Sequence, residues 1–399
     1  MAFPVQQVQL PHIPQVPPPL MMDDPNSFAH HTYSTRWPAV VDRIIRENHF
    51  EATVVDELRQ LKRDLLHGTV RSLRDRQAPD WADWARDLSP YLGQPWIEVP
   101  WLFAEFYFYR RILEATQYFS GDAVDPFSAQ KQAALEDAAR GAAQPAAAVS
   151  QSLYGALWGN RADLSLNPDQ NWRQDPTRSE GRTSRILVDD VDAIERYLQT
   201  QQSQGRRAKD RVTGLAIDLV ADNAGAELLS DLALASSLLN TYPTAQVRIH
   251  LKAYPTFVSD ATLADAKQTL AAIAHSPLAA ELKLHLGSGA LQLKDSPLWN
   301  RPLAFWQMQT ALNDILADSH LVLFKGDANY RRLLGDCQWA PETKFDPIVA
   351  YLPRPVATLR TLKSELVVGL SNEQISRLND LDASWMTAGS WGVIQARLD

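Results

Sequence analysis

Two carboxylates and one carboxamide stand where short apolar segments of the sequence end. The apolar run 214–220 is followed by Asp222 and Asn223, and Gly225 then permits a turn before an amphipathic segment. Carboxylate and amide oxygens suit a hard divalent cation at about 2.0–2.6 Å. In the alternative interpretation, one of these residues only caps the following helix, which is the commoner role of an isolated pair of this kind.

A further carboxylate, Asp260, follows the next apolar run, 247–252, after one strand-helix-strand crossover. The carboxyl ends of parallel strands meet at one edge of a sheet, so Asp222 and Asp260 can face one cleft. With Asn223 they predict a site with three oxygen ligands, as metal-assisted phosphoryl chemistry requires. Alternatively, Ser259 or Asp260 caps a helix that begins nearby.

A third polar segment, Asp327 to Arg331, follows the apolar run 321–324. Asp327 and Asn329 can hydrogen-bond hydroxyl groups, and Arg331 can form a bidentate pair with phosphate. Further along the chain, Lys363 is a compact cation that can neutralise charge on a transferring phosphoryl group. The alternatives are a simple turn at residue 327 and solvated charges at the two basic positions.

Two other groups of polar residues are weaker candidates. Asn160 and Asp163 follow a helical segment and can reach the cleft from the other side, or cap the end of that helix. His250 and Lys252 alternate on one face of a predicted strand, where a structural role is at least as common as a catalytic one.

Several familiar sites are absent from the sequence. After Gly287 and Gly289 the third glycine of a dinucleotide fingerprint is replaced by Gln292. There is no P-loop, no nucleophile elbow and no H-E-x-x-H pair. The nine histidines are scattered without ligand spacing, and the one cysteine, Cys337, can form neither an internal disulfide nor a thiolate zinc site.

The composition is that of an ordinary globular protein. The 399 residues carry a formal charge of −8, and 45% of them are hydrophobic. Because nucleic-acid affinity comes from clustered Lys and Arg, we expect no nucleic-acid partner. No apolar run reaches the roughly 18 residues that a membrane span needs, so we expect no membrane partner and a cytoplasmic location. The oligomeric state is not predicted.

Three regions of the chain differ in their sequence pattern, and two of them contain the helices and strands that must position these residues. Prolines crowd the beginning of the sequence and predict a proline-rich flexible arm over residues 1–30. Apolar residues at helical spacing predict a mainly helical subdomain over 31–205. Over 206–399, short apolar runs, including 282–286, alternate with amphipathic helices, which predicts an α/β catalytic domain with a mostly parallel sheet.

Taken in order, the polar segments resemble the damage-control phosphatase family, also known as the domain of unknown function 89 family. The resemblance is to its sugar-phosphate branch, subfamily III, and to the related acidic residue methyltransferase-like proteins. It runs from about residue 36 to the C-terminus and rests on six short motifs: W-G-N-x-x-D-L-S-L at 158–166, D-N-A-G-x-E-L at 222–228, F-V-S-D at 257–260, D-x-N-Y-R at 327–331, R-T-L-K at 360–363 and W-G-V-I-Q at 391–395.

The resemblance implies a fold, a cofactor and a substrate. The fold is a three-layer α/β/α architecture with a mostly parallel central sheet and an N-terminal helical subdomain. Asp222, Asn223 and Asp260 are implied to bind a divalent metal ion: manganese, nickel, cobalt or magnesium. The residues implied to bind the sugar phosphate are Asp222, Asn223, Asp327, Asn329, Tyr330, Arg331, Lys363 and Asn160. One departure is Ala328, where relatives often carry a larger apolar residue.

The sequence therefore predicts a metal-dependent phosphatase of sugar phosphates such as fructose 1-phosphate or fructose 6-phosphate, acting in metabolite damage control. Asp222, Arg331 and Lys363 are its predicted catalytic residues. Whether a water molecule or the Asp222 carboxylate attacks phosphorus is left open. The alternatives are an S-adenosylmethionine-dependent protein-glutamate O-methyltransferase and a non-catalytic sugar-phosphate-binding protein.

Overall fold

A seven-stranded sheet forms the centre of the molecule. The computed structural model describes residues 15–122, 124–140, 148–159, 185–207 and 214–399. In chain order the strands are β1 (Ile186–Asp189), β2 (Ala216–Val220), β3 (Gln246–Lys252), β4 (Leu291–Ser296), β5 (Leu321–Lys325), β6 (Val356–Thr361) and β7 (Gly392–Arg397). They lie in the order β1-β7-β6-β5-β2-β3-β4. Neighbouring strands are parallel except β6 and β7, which confirms the predicted mostly parallel sheet.

The strand order reverses beside β2. From β2 the chain proceeds through β3 to β4 on one side, whereas β5 and β6 lie on the other side. Ligands of parallel sheets bind in the crevice outside the carboxyl ends of the strands at such a reversal. The segments that follow β2 and β5 therefore border the expected binding crevice.

Helices cover both faces of the sheet. The helices are α1 (Phe28–His31), α2 (Trp37–Glu47), α3 (Ala52–His67), α4 (Trp81–Leu88), α5 (Trp101–Ala115), α6 (Ser128–Ala139), α7 (Val149–Gly159), α8 (Val191–Arg207), α9 (Ala226–Thr241), α10 (Leu263–Ala272), α11 (Pro277–Ser288), α12 (Gln309–Ile315), α13 (Gly326–Leu333), α14 (Phe345–Val349) and α15 (Asn372–Leu381). Strand β5 shows how the layers divide. Leu321 and Leu323 join a core with α7 to α9, while Val322 and Phe324 join a second core with α12 to α14. This alternation gives three layers.

A third core lies within the N-terminal helices. It contains buried residues of α2 to α5, and every residue of α5 is buried. Trp37 stacks on Phe108 with ring centroids 5.0 Å apart. The segment 31–205 also supplies β1, and α7 and α8, to the sheet-containing part of the molecule.

Residues 15–30 of the predicted flexible arm run against both parts of the chain. The Leu20 backbone N–H donates to the Asp336 carbonyl at 2.8 Å, and the Leu20 carbonyl accepts from the Trp101 N–H at 2.9 Å. Met22 is fully buried. These contacts connect the start of α5 to the segment that follows α13. Residues 1–14 of the predicted arm lie outside the described residues.

One predicted element is wrong. The apolar run 282–286 lies within α11, and the strand of this region is β4, which begins at Leu291. Leucines at every second position suggest a strand, yet Leu282 is fully buried while Leu284 is 73% exposed. Ser276 caps the helix at its start and Gly289 ends it in the left-handed conformation, so the stop and start signals outweigh the alternation.

Across the described ranges, none of the helices combines the length and the apolar character that crossing a membrane demands.

Candidate functional site

A pocket opens at the carboxyl edge of the sheet, beside the reversal of strand order. Six of the predicted site residues line it: Asp222, Asn223, Asp260, Asp327, Arg331 and Lys363. Asn160, the one predicted from the end of the helical segment, lies outside the described residues. The remaining two, Asn329 and Tyr330, lie behind the pocket wall and are considered below.

Asp222 packs directly against the first residue of α13. Gly326 has φ +77°, and a Cβ there would lie 2.6 Å from the Asp222 Cβ and closer still to its carboxylate. A side chain at this position would therefore displace the carboxylate. Because Gly326 has no side chain, the carboxyl ends of β2 and β5 can lie close together at this point.

The segments around the two carboxylates are joined by backbone hydrogen bonds. The Ala261 N–H donates to the Asp222 carbonyl at 2.8 Å, and the Ala224 N–H donates to the Ser259 carbonyl at 2.7 Å. Asn223 and Asp260 form an isolated antiparallel bridge. Asp222, Asn223 and Asp260 therefore lie side by side in one pocket, as predicted from their positions after neighbouring strands.

The sequence left open that the site residues only cap the helices that follow them. In the structure, other residues occupy the N-cap positions of these helices. Helix α9 begins after Gly225, which stands at the N-cap with φ 71°. Helix α10 is capped by Thr262, which forms a capping box with Asp265. The interpretation of Asp222, Asn223, Ser259 or Asp260 as caps is therefore wrong.

Hydrogen bonds fix the carboxamide of Asn223. Its Nδ2 donates to Glu227 Oε2 at 2.9 Å and to Asp222 Oδ2 at 3.1 Å. Its Oδ1 accepts from the Ser259 hydroxyl at 2.6 Å. The amide therefore has one orientation, with its oxygen on the Ser259 side.

A buried lysine holds the second carboxylate. Lys252 Nζ lies 3.1 Å from Asp260 Oδ2 and donates to the Trp299 carbonyl at 2.6 Å. Burial lowers the pKa of Lys252. The neighbouring candidate His250 instead contacts Asp218 at 2.6 Å within the sheet. Of these two weaker candidates, Lys252 is thus the one next to the site.

Asp327 stands in the first turn of α13. Its Oδ1 accepts from Arg360 Nε at 2.8 Å and from the Ser364 hydroxyl at 3.1 Å. Arg360 is fully buried and lies over the Tyr330 ring at 4.3 Å. The carboxylate is thus held by the segment that also carries Lys363, which is 5% exposed.

Arg331 is a buried connection between the two parts of the chain. It binds both Asp336 oxygens, at 2.7 and 2.9 Å, and Glu105 Oε2 at 2.6 Å. The guanidinium lies 3.6 Å from the centroid of the Trp101 ring. Burial opposes its charge, but the two carboxylates outweigh burial and raise the pKa of Arg331. The contact with Glu105 joins α13 to α5, and the contacts with Asp336 join α13 to the loop that follows it.

Asn329 and Tyr330 are directed into the interior. Asn329 Nδ2 donates to the Ala221 carbonyl at 3.1 Å and to the Lys325 carbonyl at 2.9 Å. The Tyr330 hydroxyl donates to Gln395 Oε1 at 3.0 Å. Burial raises the pKa of Tyr330 to about 12. Asn329 thereby ties the end of β2 to the start of α13, directly beside Asp222.

The opposite wall of the pocket comes from the N-terminal helices. The sequence motifs do not include its residues, among which are Phe28, Thr32, Arg36, Trp37, Trp101 and Glu105. Thr32 to Arg36 form a π-helix, a rare conformation that is frequent at functional sites. The one signal for this wall in the sequence is the density of aromatic residues between positions 96 and 109. The result is an aromatic wall with a few polar groups facing the carboxylates.

The donor set fits a hard divalent cation. Asp222, Asn223 and Asp260 offer carboxylate and carboxamide oxygens at one end of the pocket. Within the described ranges no group of three or more His, Cys, Asp and Glu side chains is arranged to hold a metal ion. The proposed ligand set differs from such a group, because it consists of the carboxylates of Asp222 and Asp260 and the amide oxygen of Asn223.

The chain is similar to known proteins over most of its length. Residues 32–378 match the family model described as the damage-control phosphatase ARMT1-like domain. Damage-control phosphatase ARMT1 of Danio rerio is 33% identical over 335 residues, which cover 75% of this chain and 74% of that protein. The protein of the same name from Macaca fascicularis is 28% identical, over 95% of this chain and 98% of its own.

A DUF89 family protein from Pyrococcus horikoshii, known from a crystal structure, aligns with 84% of this chain and 92% of its own, with 14% identity and a TM-score of 0.46. The family assignment depends on the sequence matches, since both the family model and the Danio rerio protein extend over most of the chain. The chain therefore belongs to the ARMT1-like damage-control phosphatases, a family of phosphatase enzymes.

Proposed function

We propose that this phosphatase hydrolyses sugar phosphates, such as fructose 1-phosphate or fructose 6-phosphate, with the help of a divalent metal ion. The observation that carries the proposal is the convergence of Asp222, Asn223 and Asp260 in one pocket that also contains Lys363. Oxygen ligands beside a cation are the arrangement that phosphoryl transfer requires.

Asp222, Asn223 and Asp260 would hold the metal ion, with manganese, nickel, cobalt and magnesium as the candidates. When bound, the ion supplies a Lewis acid for a phosphate oxygen. The chain itself supplies the rigid positions of these ligands. Asp222 is confined by Gly326, and Asp260 is held by Lys252.

The phosphate group belongs on the side of α13 and Lys363. Lys363 brings positive charge into the pocket wall. Asp327, fixed by Arg360 and Ser364, can accept a hydrogen bond from a sugar hydroxyl. Arg331 contributes positive charge from the pocket wall while its guanidinium remains bound to Asp336 and Glu105.

The sugar would lie against the wall formed by the N-terminal helices. Edges of the buried Trp37 and Trp101 side chains make this wall apolar, and Thr32 and Arg36 add hydrogen-bond donors. A small polar substrate with an apolar ring face matches this combination. We propose that Asn329 and Tyr330 support the site from inside and do not touch the sugar.

Two routes of attack on phosphorus fit the pocket. Water can attack directly, or the Asp222 carboxylate can attack first and form an aspartyl phosphate that water then hydrolyses. Acid quench of a single turnover with a substrate labelled in its phosphate group separates the two. Labelled phosphate becomes covalently bound to Asp222 only along the second route.

The test is a phosphate-release assay on the metal-stripped protein, with each of the four metals in turn. We expect release from fructose 1-phosphate or fructose 6-phosphate with metal present and none with excess chelator. Asp222→Ala should abolish release and keep the fold, whereas Asp314→Ala, at an exposed acid of α12, should behave as wild type. Release that persists in chelator, or in Asp222→Ala, contradicts the proposal.

A thermal-stability measurement and a ligand titration, beside the phosphate-release assay, separate the alternatives. A non-catalytic sugar-phosphate-binding protein is stabilised thermally by its ligand but releases no phosphate. A methyltransferase must bind S-adenosylmethionine in a titration. The glycine pair considered for that cofactor, Gly287 and Gly289, lies at the C-terminal end of α11, and not in a loop that leads from a strand into a helix.

A further inference from the structure

A buried carboxylate stands behind the carboxamide of the proposed metal site. Glu227 is 1% exposed and lies in the first turn of α9. One of its oxygens, Oε2, accepts from Asn223 Nδ2 at 2.9 Å. The other, Oε1, accepts from Lys325 Nζ at 3.1 Å. Glu227 therefore connects the amide of Asn223 to a lysine in the interior of the sheet.

The lysine is itself held in place. Lys325 is fully buried and also donates to Asp231 Oδ1 at 2.7 Å and to the Ala156 carbonyl at 2.8 Å. With these partners, Lys325 occupies one side of Glu227. The oxygen that faces Asn223 is therefore fixed as an acceptor.

The hydrogen-bonding properties of Glu227 and Ser259 determine the directions in which the NH2 group and the oxygen of the Asn223 amide point. Carboxylate oxygens only accept hydrogen bonds, so the NH2 group of Asn223 must face Glu227. The Ser259 hydroxyl can donate, and it donates to Oδ1 at 2.6 Å. If the amide turned over, Oδ1 would oppose the Glu227 carboxylate and the NH2 group would take its place at the pocket. An NH2 group cannot bind a cation.

We propose that Glu227 is a positioning residue, which with Lys325 fixes the Asn223 amide so that its oxygen is the atom offered to the divalent cation. The inference rests on the proposed function, because it assigns the orientation of one ligand of that site. Partners that orient a metal ligand commonly change metal affinity by about 10–100-fold when they are removed.

The first test exchanges the acid for its amide. In Glu227→Gln, the side-chain oxygen of the new glutamine stays with Lys325, so its NH2 group faces the NH2 group of Asn223. The Asn223 amide then turns over or moves away. Manganese binding to the metal-stripped protein, measured by the loss of the free-ion EPR signal, should weaken by about 10–100-fold.

The second test swaps acid and amide between the two positions. In the double variant Asn223→Asp with Glu227→Gln, glutamine again accepts from Lys325 and now donates to the new aspartate. The pair keeps its donor, its acceptor and its total charge. Asp222 Oδ2 loses its donor in both variants that carry Asn223→Asp, so we expect the double variant to bind manganese more tightly than Asn223→Asp alone. Asn223→Asp alone places two carboxylates at hydrogen-bond distance and should bind manganese more weakly than the double variant.

Asp231→Asn is the matched control, because it changes the other carboxylate on Lys325 and leaves the Glu227 contact with Asn223 in place. It should keep the wild-type manganese affinity, whatever its effect on thermal stability. Circular dichroism checks that each variant is folded. Should Glu227→Gln not fold, Asn223→Asp and the double variant carry the comparison.

Each result has a definite meaning. Unchanged manganese affinity in Glu227→Gln overturns the inference, and so does a double variant that binds no better than Asn223→Asp. Equal losses in Asp231→Asn and Glu227→Gln overturn it as well, because they indicate general damage to the interior. Absence of manganese binding by the wild-type protein, tested also with the other three metals, overturns the proposed function itself.

Discussion

Gly326 lies against the carboxylate of Asp222, so that the first residue of α13 forms part of the wall that confines the predicted ligand. The contact joins the end of β2 to the end of β5 at the reversal of strand order. Because φ of Gly326 is +77°, glycine satisfies both the backbone conformation and the space. We attribute the fixed position of Asp222 to this contact.

Gly326→Ala should therefore abolish most of the activity. The new methyl group overlaps the carboxylate, and displacement of a reacting group by about 1 Å can cost about 10²-fold in rate. We expect at least that loss in kcat/KM for the sugar phosphate, together with weaker metal binding. Steady-state kinetics and a metal titration measure the two effects.

Gly93→Ala is the control for backbone strain alone. Gly93 has φ +82°, but a Cβ there would meet nothing within 4 Å. Its thermal stability should fall by an amount typical of an L residue in this region, about 1–2 kcal/mol, while kcat/KM stays unchanged. Similar kinetic losses in both variants would contradict the role assigned to the Asp222 contact.

Arg331→Met tests whether Arg331 holds the two parts of the chain together. The substitution leaves Asp336 and Glu105 without their shared guanidinium, and removing one partner of a buried ion pair costs about 3–5 kcal/mol. Urea unfolding should show a loss of that size. Arg63→Met, at an exposed position of α3, should change stability by less than about 0.5 kcal/mol. A stable Arg331→Met variant with weaker substrate binding would show instead that Arg331 serves the substrate.

The sequence was sufficient to predict the parallel sheet and the position of Asp222, Asn223 and Asp260 together at its carboxyl edge. Both depend on local rules, because an apolar run followed by polar residues and a helix specifies a strand and its carboxyl end. The run 282–286 is predicted as a strand from its alternating leucines, but it is helical. The same alternation also occurs on a helix with one buried face. Its capping residues, Ser276 and Gly289, held the information that decides the element.

The D-x-N-Y-R motif shows where a motif alone falls short. On a helix, Asp327, Ala328 and Arg331 are spaced one, three and four residues apart and lie on the face that lines the pocket. Asn329 and Tyr330 fall on the other side and serve the interior. Helical periodicity therefore separates residues that a linear motif groups together.

Contacts between distant segments could not be predicted from the sequence. The glycine of α13 beside Asp222, and the partners of Arg331 in α5 and in the following loop, are set by tertiary packing. The aromatic wall depends in the same way on how the N-terminal helices dock over the sheet edge. Nothing in the local spacing of those residues indicates which of them face the pocket.

His320 predicts a pH dependence of stability. Its Nδ1 accepts from the Ala216 N–H at 3.0 Å at the start of β2, which requires a neutral ring. Burial, together with Arg354 and Arg248, lowers the pKa of His320 from its ordinary value of 6.5. The unfolded chain thus takes up this proton at a higher pH than the folded chain, so the contribution is present above pH 6.5 and declines as the pH falls below it.

Urea unfolding at about pH 8 and pH 5.5 measures the contribution of His320. His320→Asn retains an acceptor for the Ala216 N–H but cannot take up the proton, so its stability should fall less between the two pH values than that of the wild type. His49→Asn, at an exposed position, should show the wild-type dependence. An identical pH dependence in His320→Asn and wild type would contradict the assignment.

Lys363→Met tests the cation on the proposed phosphate side of the pocket. Lys363 is 5% exposed and lines the same pocket as Asp222 and Asp260. Removing a positioned group that stabilises charge in the transition state typically costs about 10²–10³-fold in kcat, and we expect a loss of that size. Methionine keeps most of the apolar length of the side chain and removes the charge. Lys344→Met, at an exposed position, should keep full activity. If Lys363→Met keeps kcat and loses only stability, the lysine serves packing, and the charge that opposes the phosphate must come from other residues of the pocket.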